Sequence, residues 1–145
     1  MEKTRAIVLH SIKYGESQFI VDFLTESRGR VSFLVKIPKS SKSNSKRQYF
    51  QPLTLVTLEF DFRANQNLQR IKNIGILYPY EDIPFSPIKI SVSLFLAEFL
   101  LYATKLEQKN LPLFYFVYDS LVWFDGAHEG IANFHLLFLM RLSFY

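Results

Sequence analysis

The chain has 145 residues, 49% of them hydrophobic and 17% aromatic, which is enough apolar mass to bury a core and too much for a disordered polymer. It contains no cysteine, which excludes disulfides, thiolate zinc sites and cysteine nucleophiles. Its net charge of +4 is unevenly divided: Met1 to Tyr80 holds thirteen Lys or Arg against six Asp or Glu, and Glu81 to Tyr145 holds four against seven, the pattern of a polyanion-facing module joined to one of different purpose.

From Arg5 to Leu77 the pattern has period two or short β-rich runs, which predicts half-buried antiparallel strands. The first runs from about Arg5 to Tyr14, and Tyr14-Gly15-Glu16-Ser17 turns the chain into a second, Gln18 to Thr25. Ser27-Arg28-Gly29-Arg30 reads as a hairpin turn with Gly29 at the position best able to take positive φ, and Val31 to Lys36 follows as the third strand. The fourth, Leu53 to Phe62, places Val56, Leu58, Phe60 and Phe62 on one face and Thr57, Glu59 and Asp61 on the other. Leu68 to Leu77 is the fifth, with Gly75 expected at a bulge. Ile37 to Gln51, rich in Ser, Lys, Pro and Asn, reads as an exposed loop. Five short strands with one long link fit a small closed barrel such as an OB-fold, with an SH3-like barrel as the rival.

Beyond the connector Tyr78 to Pro84, Ser86-Pro87 marks a helix start, with Ser as N-cap and Pro at the first helical position. Ile88, Val92, Phe95, Phe99, Tyr102 and Leu106 fall at helical spacing, and Leu94, Leu96, Leu100 and Leu101 widen the apolar sector, so burial from several sides is expected. Lys89, Glu98 and Lys105 argue against a membrane span, and Met1 to Arg5 has no signal-peptide character, so the cytoplasm is the expected location. A second helix is predicted over Leu113 to Phe124 and a third from about Glu129 to the end. The last is still apolar at Tyr145, which leads us to expect a further C-terminal portion or a partner over that face. The predicted class is therefore α+β: a five-stranded antiparallel OB-fold barrel over residues 1–80 and an all-helical segment over residues 81–145.

Arg28 to Arg47 contains Arg28, Arg30, Lys36, Lys39, Lys42, Lys46 and Arg47 and no acidic residue. On a barrel face these seven cations would neutralise phosphates, while Tyr49 and Phe50 offer rings for base stacking; the plainer alternative is a loop kept soluble by its lysines. Tyr14, Phe19 and Phe33, being aromatic residues in or beside strands, are assigned to the core. Glu16 and Asp22 have no partner evident from spacing, so no general acid/base pair is predicted. His128-Glu129 and His135 do not match HExxH, and Glu98 is expected to bond a backbone group or an Arg. Neither a Gly-rich phosphate loop nor a GxSxG elbow occurs. No catalytic residue, metal, cofactor or small-molecule substrate is expected, and a non-catalytic protein-interaction scaffold is the alternative to nucleic-acid binding.

Val8-Leu9 leading to Tyr14-Gly15-Glu16-Ser17, then Phe23-Leu24-Thr25-Glu26 and Gly29-Arg30 entering a strand, resembles the opening of the bacterial RecO family of recombination mediators. The basic loop Lys39 to Arg47, the Gln51-Pro52-Leu53 start of the next strand, Phe95-Leu96-Ala97-Glu98-Phe99-Leu100 and Phe138-Leu139-Met140-Arg141-Leu142 are similar to later family segments in the same order. Ile37-Pro38-Lys39 departs from the Gly-Ala-Arg-like segment common there, and members usually extend well beyond this length, often with a cysteine zinc cluster. The resemblance implies an OB-fold that binds single- and double-stranded DNA, anneals strands, and works with RecR and the single-stranded-DNA-binding protein to load RecA. It also implies contact between the helical domain and that protein's acidic tail.

Overall fold

A computed structural model describes residues 1–37 and 47–145. The strands are β1 (Glu2–Lys13), β2 (Gln18–Thr25), β3 (Gly29–Lys36), β4 (Leu55–Phe60) and β5 (Leu68–Tyr78), closed into a barrel in the order β1-β2-β3-β5-β4. Four of the five pairings are antiparallel, but β3 and β5 run parallel where Ser32, Phe33 and Leu34 meet Leu68, Gln69 and Arg70. This corrects the all-antiparallel expectation, and the reason is parity: an odd number of strands cannot alternate direction around a closed ring.

The barrel interior is filled by Ala6, Val8, Val21, Phe23, Phe33, Val56, Leu58 and Phe60. Phe33 packs edge-to-face on both Phe23 and Phe60, with centroids 5.3 and 5.0 Å apart. Such pairs add about 0.5–1.5 kcal/mol each beyond the area they bury. Phe50, from a short 3-10 turn at Gln48–Phe50, reaches the same core 6.5 Å from Phe23. Phe50 is therefore core and not a stacking surface. Phe62 lies beyond the end of β4 and is partly exposed, and Tyr14, expected in the core, is 65% exposed in the β1–β2 loop, where no strand covers it. Gly75 is regularly paired with Thr57; the register slips on either side of it, at Lys72 and at Leu77.

The apolar run Ala6-Ile7-Val8-Leu9 is buried throughout because β1 has two dry faces. Ala6 and Val8 face the barrel core, while Ile7 and Leu9 join Leu24, Leu53 and Leu55 in a second core shared with the helices. A register slip against β2 between Val8 and His10 falls at Leu9.

Three helices follow: α1 (Pro87–Ala103), α2 (Leu111–Gly126) and α3 (Phe134–Leu142), the last beginning later than expected because Gly130 is left-handed and Ile131–Asn133 forms a 3-10 turn. Ser86 caps α1 by accepting from the Lys89 amide, and Asn110 caps α2 by accepting from Leu113. α1 does not meet the expectation of burial on several sides: Lys89, Ser93, Leu96, Ala97 and Leu100 form its packed face, whereas Ile88, Phe95, Phe99 and Tyr102 are exposed. Ser93 and Ala97 are small enough to allow close approach, and the Lys89 ammonium carries its own acceptors inward. Its Nζ donates to the Asp125 and Ala127 carbonyls at 3.0 and 2.7 Å and pairs with the Asp82 carboxylate at 2.7 Å. Glu98 is exposed, with no bond to an arginine among the described residues. No helix of the described residues is long and apolar enough to cross a membrane.

Two joints hold the barrel against the helices. The Gly29 hairpin, at φ +72°, lies so close to the loop after α1 that a Cβ there would sit 2.3 Å from the Gln108 carbonyl oxygen. In the connector, the buried Asp125 carboxylate accepts the amides of Glu81, Asp82 and Ile83, each at 2.9 Å, and the Tyr80 hydroxyl donates to the Leu53 carbonyl at 2.5 Å.

Candidate nucleic-acid interface

The pairing registers align side chains in rows across the outer face of β1, β2, β3 and β5. Ile12, Ile20, Leu34 and Arg70 form one row; His10, Asp22, Ser32 and Leu68 form the next. Lys36 stands opposite Gln18 beyond them. The face is therefore apolar at its middle and cationic toward Lys36 and Arg70. Its carboxylate, Asp22, is engaged: it accepts from the Ser32 hydroxyl, and Arg30 and the His10 ring lie 3.6 and 4.0 Å away.

The seven predicted cations separate into groups. Lys39, Lys42 and Lys46 lie outside the described residues. Arg28 is clamped on Glu2, with Nε 3.0 Å from both carboxylate oxygens, and its guanidinium lies 3.6 Å over the Phe62 ring. Burial raises the Glu2 carboxyl, but hydrogen bonds from Arg28 and Ser27 outweigh it and hold the group below its ordinary range. Arg30 turns inward: it donates to the Leu101 carbonyl at 2.6 Å and to Thr104 at 3.4 Å, and its side chain is only 13% exposed. Both arginines sit at the start of β3, whereas Lys36 ends it, roughly 20–25 Å away for an eight-residue strand rising about 3.3 Å per residue.

At that far end the structure gathers Lys36, Tyr49, Arg70 and Lys72 around one groove of about 490 Å³. Val35, Ile71 and Ile74 are among its apolar lining, and Tyr49 is half-buried, one side packed on the barrel core. Arg47 lines a separate, smaller pocket that shares Phe50 with this groove, its guanidinium 5.9 Å from the Phe19 ring. Among the described residues no carboxylate lines the groove. Asp61 approaches from outside, paired with Lys72 at 2.5 Å and with the N-terminal amine at 3.4 Å, and these partners, Lys72 first, hold its carboxyl below the ordinary range. Sequence reasoning missed Arg70 and Lys72. The available signal was two cations two residues apart in a strand, which puts them on one face. Among the described residues no three His, Asp or Glu side chains converge as a metal site would require.

The family model described as Recombination protein O N terminal matches residues 1–80, and the one described as Recombination protein O C terminal matches residues 84–145. A DNA repair protein RecO of Bacteroides fragilis is 47% identical over 143 residues, covering 99% of this chain and 59% of the relative. The namesake in Phocaeicola vulgatus is 45% identical with the same coverages, and that of Flavobacterium psychrophilum is 40% identical over 144 residues, covering 99% of this chain and 60% of the relative. The chain thus spans about three-fifths of the length of these curated relatives.

Proposed function

The chain belongs to the recombination protein O family, and from that premise we propose that it is a non-catalytic, cytoplasmic DNA-binding part of a recombination mediator. The observation that carries this reading is the carboxylate-free cationic groove at the end of β3, bordered in sequence by the Lys39, Lys42 and Lys46 segment. Lys36, Arg47, Arg70 and those three lysines neutralise phosphates, and Tyr49 supplies a ring. Arg28 and Arg30 contribute less directly, since their guanidinium groups are already held by Glu2 and by the α1 terminus.

Annealing and the loading of RecA with RecR need no bond chemistry from this surface. Cationic side chains lower the repulsion between two strands, and contacts without base readout leave the pairing edges free. The helical half supplies protein contacts. A groove lined by Trp123, Phe134, Leu137 and Arg141, with Asp119 at one side, combines apolar walls with a cation that an acidic tail such as that of the single-stranded-DNA-binding protein can meet.

The test is oligonucleotide binding across a salt series. Replacing Lys39, Lys42, Lys46 and Arg47 with Glu should abolish retention of DNA at moderate salt. Unchanged affinity in that variant would overturn the reading.

A further inference from the structure

β3 and β5 are paired over only three residues, and beyond Leu34 and Arg70 they part. Each remains tied to its other neighbour: Val35 and Lys36 pair with β2, and Ile71 to Tyr78 pair with β4. Among the described residues no strand fills the gap, and the groove lies there. Its composition is layered. Val35, Ile71 and Ile74 are partly buried against the barrel core, Tyr49 forms one wall, and Lys36 and Arg70 stand exposed at the rim, with Lys72 beside them paired to Asp61.

Resting on the DNA-binding reading above, we infer that this seam is a single-strand pocket, which holds an unpaired base against the Tyr49 ring and makes the barrel prefer unpaired to duplex DNA. An apolar interior with a cationic rim matches a nucleotide, whose base is flat and weakly hydrated on its faces and whose phosphate is charged. In a duplex those faces are covered by neighbouring pairs, so a ring set in a groove wall has nothing to stack on unless a base is extruded. A single strand offers its base faces freely, and every base has one, so the pocket is indifferent to sequence. Duplex DNA still meets the rim cations and is held by charge alone. The volume of the seam falls within the range of clefts that enclose small ligands. The division of labour is therefore between Tyr49, which senses strand state, and the cations, which sense phosphate.

The experiment compares binding of oligothymidylate and of a hairpin duplex with the same phosphate count, at matched concentrations across a salt series, by fluorescence anisotropy. Tyr49→Leu keeps apolar packing and loses the ring; Tyr49→Phe keeps both. Tyr49→Leu is expected to lose about tenfold in affinity for oligothymidylate and to hold the duplex as the unsubstituted chain does, whereas Tyr49→Phe retains both. Should Tyr49→Leu fail to fold, Tyr49→Trp combined with Trp123→Phe replaces it, leaving one indole, at position 49, whose emission oligothymidylate quenches and the duplex does not. Equal losses for both ligands, no loss for either, or indole emission that responds alike to both would overturn the inference. If the unsubstituted chain binds neither ligand, or binds both without salt dependence, the broader DNA reading fails instead.

Discussion

Removing the Asp125 carboxylate is the sharpest perturbation of the joint between barrel and helices. Its Oδ1 accepts the amides of Asp82 and Ile83 and its Oδ2 the amide of Glu81, all at 2.9 Å. Hydrogen bonds to a charged group contribute about 1.5–3 kcal/mol each, but they are not additive, and the exposed Glu81 amide regains water when its partner is lost. The Ile83 amide is buried and does not. Asp125→Ala should therefore destabilise the chain by about 3–5 kcal/mol, the range for removing one side of a buried charged network. Asp125→Asn keeps one acceptor oxygen for Asp82 and Ile83 but turns an amide group toward the Glu81 N–H, costing about 1–2 kcal/mol. At about 2–4 °C per kcal/mol for a chain of this size, the melting temperature should fall by roughly 10 °C for Ala and by several degrees for Asn. Urea unfolding followed by circular dichroism measures both. A loss under about 0.5 kcal/mol for Ala, or Asn more harmful than Ala, would refute the reasoning.

Other consequences follow from the same contacts. Gly29→Ala places a Cβ against the Gln108 carbonyl at positive φ and should cost at least about 2 kcal/mol in urea unfolding, with no rescue by any other L-residue. Burial raises the Glu26 carboxyl, but hydrogen bonds from Tyr115 and Arg5 prevail and depress it below its ordinary 4.5. Stability from this group is present above that value and lost as pH falls through the depressed one, so Glu26→Gln should flatten the acid limb of a stability profile. Burial, chiefly, raises the Tyr80 hydroxyl well above its ordinary 10.0, so its contribution is complete below that pH and declines as pH rises further. Tyr80→Phe should remove that alkaline limb and about 1 kcal/mol with it, measured by urea unfolding at neutral and alkaline pH.

Much of the barrel is legible in the sequence because period-two alternation is a direct record of one wet and one dry face. β2 is predicted to the residue, and Val56, Leu58 and Phe60 face inward as their spacing requires. The errors arise where a second surface changes what burial means. β1 has dry faces on both sides, so Ile7 and Leu9 serve the helices and not the barrel. In α1 the apolar stripe of Ile88, Phe95, Phe99 and Tyr102 is the exposed one, and the packed stripe contains a lysine and a serine. Hydrophobicity alone cannot reveal that Lys89 finds three acceptors, two of them, at Asp125 and Ala127, contributed by residues distant in sequence. The candidate site shows the same limit. Of the predicted cationic run Lys36 lies at the end of β3, but Arg28 and Arg30 are taken up by contacts to Glu2 and Leu101 that only the fold brings near. Arg70 and Lys72 join the groove because the one parallel pairing sets β5 beside β3.

The dependence of DNA affinity on salt tests the central claim most directly. If Lys36, Arg70 and their neighbours displace counterions from phosphates, the logarithm of the association constant for oligothymidylate falls linearly with the logarithm of salt concentration. The slope should shrink by about 0.7 for each of Lys36→Ala and Arg70→Ala. A flat line for the unsubstituted chain, or slopes unmoved by both substitutions, would mean that the end of β3 is not where this protein meets DNA.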